Sequence, residues 1–202
     1  MSETRTPTQK RSIEKRNRII DKGFELMCEK GYHNINTNDI AKYADVSTGI
    51  VYQYFNDKKE IFIEGTKKYL NDIMFPIYEI IDEYTKLDNI QDFLKEIISK
   101  NKKQHTKFAK AHNELSSMEH LDPDIALLFK EREKQFSDKL FKLLINNGYK
   151  DNNLEEKTHI IVNLIDNLAH EEVFHKHSEF DYDAMEDIII DMIINILNQK
   201  NK

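Results

Sequence analysis

The stretch Thr37 to Phe62, TNDIAKYADVSTGIVYQYFNDKKEIF, decides how this chain is read. Thr37 precedes Ile40, Ala41 and Ala44, spaced for one face of a short helix that ends near Asp45. Val46 falls in a turn of about three residues, and Ser47 or Thr48 can cap a second short helix, GIVYQYF. Asn56 and Asp57 break that helix, and Lys58 opens a longer pattern through Ile61 and Phe62. Small Ala41 and Ala44 permit close approach, while Val46, Ile50 and Val51 supply the apolar surface that holds the two helices crossed.

Two short helices joined by a tight turn make a helix-turn-helix, over about residues 36–55, whose second helix can lie in a DNA major groove. Left outward on that helix are Thr48, Gly49, Tyr52, Gln53 and Tyr54. They offer hydroxyls for phosphate, an amide for a base edge, and a glycine that lets backbone approach DNA.

Working outward, residues 12–30 read as a helix capped by Ser12 and stopped at Gly31, with Ile13, Ile20, Phe24 and Met27 on its apolar face. Beyond Lys58 the helical pattern runs through Ile77 and Ile81, and Pro76 is expected to kink or end it. A further helix resumes at Phe93 and runs to about Met118, with a break around 101–106. Asp122-Pro123 starts another, which stops at Gly148. The last two cover roughly 154–176 and 181–198. With 5 Gly and 3 Pro in 202 residues, and no β-rich segment, the expected fold class is all-α. The expected domains are 1–64, carrying the helix-turn-helix, and 65–202.

The net charge of −6 looks wrong for a nucleic-acid binder until it is divided. Residues 1–60 hold 11 Lys+Arg against 9 Asp+Glu, leaving 19 against 27 for the rest. The bases bunch further at Lys10, Arg11, Lys15, Arg16 and Arg18, which read either as a clamp on the DNA backbone or as an ordinary charged helix face. No run of 18 uncharged apolar residues exists, so no membrane partner is expected. The opening MSETRTPTQKRS does not read as a secretory signal, and the single Cys28 suits a reducing cytoplasm, the expected location.

Thr37, Ile40-Ala41, Ala44, Val46-Ser47, Gly49, Tyr52, Tyr54-Phe55, Lys58 and Ile61 resemble, in order and spacing, the pattern of the tetracycline-repressor (TetR) family. Two departures are visible: Asp45 stands in the turn where Gly is usual, which Asp tolerates, and Gly23 stands in the first helix where Ala is common. The resemblance implies that Thr37, Tyr52 and Lys58 touch phosphates. It implies that Asn38, Thr48, Gly49, Gln53 and Tyr54 face the groove, and Ser47 is counted with them at the start of the second helix. It further implies a homodimer that binds a near-palindromic DNA operator and is released from it by a small-molecule effector, most often as a repressor.

The wide apolar stripe Met185, Ile188, Ile189, Ile190, Met192, Ile193, Ile194, Ile196 and Leu197 points to dimerisation through helices about 156–176 and 181–198. Phe108, His112, Asn167, His170 and Phe174 are candidate linings of an effector pocket. The run HEEVFHKH at 170–177 resembles a zinc motif only superficially. His170 and His175 are five apart, about 140° around a helix, although Asp166 and His170 do share a face. No Gly-rich phosphate loop, CxxC pair or nucleophile elbow is present, so neither a cofactor nor catalysis is expected. Two other readings stay open: a metal-dependent helical-bundle enzyme using the run 170–177, and a protein-binding helical adaptor.

Overall fold

The computed structural model describes residues 9–198. Among these residues, nine α-helices and one short 3-10 turn (Tyr32–Asn34) account for the regular structure, and no strand occurs. In order the helices are α1 (Lys10–Lys30), α2 (Thr37–Tyr43), α3 (Thr48–Tyr54), α4 (Lys58–Glu83), α5 (Ile90–Lys107), α6 (Ala109–Leu121), α7 (Pro123–Asn146), α8 (Leu154–Phe174) and α9 (Tyr182–Asn198).

Two compact units emerge. The first contains the described residues up to Leu70 together with Lys110–Phe129. The second contains Asn71–Ala109 and the described residues from Lys130 onward. The first therefore reaches beyond the stretch 1–64 in which the sequence places it. Its core, built on Ile19, Met27, Ile40, Val51, Phe55, Ile61 and Phe62, is completed by Leu115, Met118 and Ile125 from α6 and α7. Polar ties accompany that packing: Glu114 accepts from the Tyr32 amide at 2.6 Å, and Lys59 pairs with Asp122 and Asp124 at 2.7 Å each.

Within this unit α1 and α4 approach closely at Gly65, where a Cβ would lie 2.4–2.5 Å from atoms of Phe24. At Gly23 a Cβ would lie 2.8 Å from Ile61 and 3.0 Å from Ile40, so the departure noted at this position leaves room for two core side chains. Burial pushes the Cys28 thiol up to about 12, marking it as a core group rather than a reactive one.

In the second unit α5, α8 and α9 pack on one another. Ile97, Ile98, Ile161, Ile165, Ile190 and Ile193 are buried there. Lys102 fastens the three helices by reaching Glu172 on α8 at 2.6 Å and Glu186 on α9 at 2.7 Å. Pro76 neither ends nor divides α4, which continues to Glu83. The break expected at 101–106 falls instead at Phe108, the C-cap of α5.

Candidate nucleic-acid interface

Asn36, rather than Thr37, caps α2. Its side chain accepts from the amides of Asn38 and Asp39, and Asp39 returns a contact to the Asn36 amide, completing a capping box. Ala44 ends the helix, and Asp45 takes φ 52°, the one non-glycine residue in that region among those described. A carboxamide or carboxylate side chain tolerates this conformation better than most, which is why the turn forms without glycine. The Arg18 guanidinium donates to the Asp45 carbonyl at 3.0 Å, so part of the basic run is committed to holding the turn. Arg16 likewise pairs with Glu64 at 3.2 Å and lies over the Phe55 ring. Lys10 and Arg11 remain exposed.

Helix α3 stands on Val51, which is fully buried, and on Ile40, Ala41 and Ala44 beneath it. Its outward side carries Gly49, Tyr52 and Gln53, with Tyr52 55 % exposed. Nothing lies within 4 Å of the position a Gly49 Cβ would occupy. Asn38 and Ser47 are exposed, and Thr37 and Thr48 are half-buried. The Thr48 hydroxyl donates to Asn38 Oδ1 at 2.9 Å, linking α2 to α3 across the outward surface.

Two of the expected contacts are placed differently. Tyr54 is 8 % exposed and belongs to the core cluster, since it follows Val51 by three residues and shares its buried side. It does not face a groove. Lys58 is turned inward: Nζ donates to the carbonyls of Tyr32 at 2.6 Å and Ile35 at 2.7 Å, and lies 4.3 Å from the Tyr32 ring centre. Burial lowers its pKa from the ordinary lysine value. Lys58 thus closes the segment between α1 and α2, which sequence spacing could not reveal because both acceptors are backbone atoms.

The five candidate pocket residues scatter. His112 lies on α6 in the first unit, while Phe108, Asn167, His170 and Phe174 lie in the second. Asn167 is exposed, a correction to its expected pocket role. One step of 100° along α8 turns the neighbouring Asp166 inward instead. His170 and Phe174 stand edge-on to each other and to His105 of α5, a residue the sequence reading did not single out. A cavity of about 400 Å³ borders Pro76, Glu79, Glu83, Glu96 and Lys103, and none of the five lines it.

The geometry defines an all-helical protein whose first unit presents a helix-turn-helix with a capped first helix and an open polar face on the second. Residues 19–64 match the family described as bacterial regulatory proteins, tetR family. The chain is 41 % identical over 58 residues to the HTH-type transcriptional regulator HbdR of Aromatoleum sp. (strain CIB), a match covering 29 % of this chain and 25 % of that protein. It is 37 % identical over 65 residues to the fatty acid metabolism regulator protein of Bacillus subtilis, covering 32 % and 34 %. The chain thus matches about a quarter to a third of these curated relatives. Over nearly its whole length the fold resembles that of the fatty acid degradation regulator FadR from Bacillus halodurans. That likeness has a TM-score of 0.65 and 21 % identity, and it covers 93 % of this chain and 96 % of the other.

Proposed function

We propose that this protein is a sequence-specific DNA-binding transcriptional regulator, acting as a repressor that a small-molecule effector releases from its operator. The observation that carries the reading is α3: a short helix seated on buried Val51 that offers Gly49, Tyr52 and Gln53 outward in a chain whose bases gather at α1. Tyr52 is assigned to phosphate, Gln53 and Thr48 to base edges, and Lys10 and Arg11 to the backbone clamp.

A homodimer fits this reading, since two half-sites call for two recognition helices about 34–36 Å apart. The exposed apolar side chains on the last two helices, Ile160 (50 %), Ile188 (58 %) and Met192 (46 %), supply its interface. Effector release follows if the effector binds one conformation more tightly than the other, and DNA affinity then falls by the same factor. Among the described residues no helix is long and apolar enough to cross a membrane.

The test is a mobility-shift titration with the DNA upstream of the protein's own gene, run beside unrelated DNA at two salt concentrations. A specific complex that survives excess unrelated DNA supports the reading. Equal affinity for both, or none, overturns it.

A further inference from the structure

One turn of α5 and one turn of α8 bring His105, Asp166 and His170 together, with one ligand atom of each lying within 4.8 Å of the others. His105 Nδ1 is 3.0 Å from the Asn101 carbonyl, the backbone partner that fixes the tautomer and points Nε2 away toward Asp166 at 3.7 Å. His170 Nε2 is 4.0 Å from the other Asp166 oxygen. His105 is 5 % exposed, so the cluster sits at the buried face where α5 meets α8, and two helices rather than a loop hold it.

A second observation points to a ligand. Asn101 Oδ1 and Gln104 Oε1, on the same turn of α5 as His105, are buried acceptors without a hydrogen-bond partner. Asn101 is 1 % exposed and Gln104 8 %. A buried acceptor left unsatisfied costs about 1–3 kcal/mol, so the turn of α5 that carries His105 holds an unmet demand for donors.

We propose that His105, Asp166 and His170 form a binding site for a divalent transition-metal ion of the zinc or cobalt class. Two imidazoles and a carboxylate are the ligand types such ions take, at about 2.0–2.2 Å each. Ligand atoms on a tetrahedral ion are then about 3.3 Å apart. The spacings here exceed that by less than one bond length, a closure that side-chain rotation supplies. The His105–Asn101 carbonyl contact is the outer-shell support that metal-bound histidines ordinarily have. Arg132 Nη2 pairs with Asp166 at 3.9 Å, a positive charge that lowers the affinity of the site for a cation. This cluster shares only His170 with the run 170–177: α8 ends at Phe174, and His177 pairs with Glu171 and Glu179 instead. Binding of the ion stands on its own, whereas its use as the effector rests on the regulator reading.

The experiment is a Co²⁺ titration of the untagged full-length protein followed by visible absorption, with Zn²⁺ retention measured after dialysis. The expected result is one ion per chain, weakened more than about 100-fold in His170→Gln and unchanged in His177→Gln. That exceeds the 10–100-fold that loss of a supporting group typically produces. Because His170 is partly exposed, its variant keeps the wild-type far-ultraviolet circular dichroism, and Asp166→Asn gives a second measure of the same loss. An absent Co²⁺ band, or equal retention in His170→Gln and wild type, overturns the proposal. The measurement contains no DNA, so failure of operator binding with the ion bound removes the regulatory reading and leaves the site standing.

Discussion

Replacing Lys58 by Met separates two roles for this residue. The substitution keeps an unbranched apolar stem and removes the ammonium that donates to the Tyr32 and Ile35 carbonyls. Hydrogen bonds from charged donors contribute about 1.5–3 kcal/mol each, and a cation over an aromatic ring near the surface about 0.5–1 kcal/mol. The site is only part-buried, so water re-solvates the carbonyls and recovers much of that, leaving an expected net loss of about 2 kcal/mol. For a chain of this size such a loss lowers Tm by about 4–8 °C, measurable by thermal denaturation. Specific DNA binding of the folded variant, followed across salt, should keep the wild-type slope, because the ammonium is already engaged. An unchanged Tm with a slope reduced by about one unit is the signature of a phosphate contact, and would refute the reasoning.

Gly49→Ala should fold with equal or up to about 1 kcal/mol greater stability, since nothing occupies the space of the new methyl group and alanine favours the helix. It should nonetheless lose about tenfold or more in specific DNA affinity, comparable to one base contact; wild-type affinity in a competition assay would remove Gly49 from the interface. Met192→Glu should prevent the proposed dimer while preserving the fold, because Met192 is 46 % exposed in the single chain. Ile193→Glu should unfold it, because Ile193 is fully buried and its carboxylate would have no partner. Sedimentation velocity at micromolar concentration checks both, and a Met192→Glu protein as dimeric as wild type would place the interface elsewhere.

The helix pattern was legible wherever local chemistry is strong. The Asp122-Pro123 start, the stop near Gly148 and the two final helices all lie where capping residues and periodicity place them. The turn at Asp45 was readable for the same reason, since the side chain itself explains the backbone. What escaped depends on partners distant in sequence. Asp166 and Asn167 are adjacent polar residues on one stripe, and only the docking of α5 decides which of them meets His105. Tyr54 sits on a helix so short that its outward and inward sides differ by a single step. Lys58 looks like a surface cation until the carbonyls it bonds are located.

The first unit also bears on the construction of chimeric sensors. A cut at residue 64 would seem to free a transferable DNA-binding module, yet it would leave behind Leu115, Met118 and Ile125, together with Glu114 and Asp122. A graft made there would leave this chain's N-terminal core to close on the host protein's residues, with no reason for the surfaces to fit. Transplantation should carry 110–129 along with the N-terminal stretch, or redesign the contact from both sides. The same arrangement bears on synthesis: the N-terminal core receives Leu115, Met118 and Ile125 only after α4 and α5 have been made.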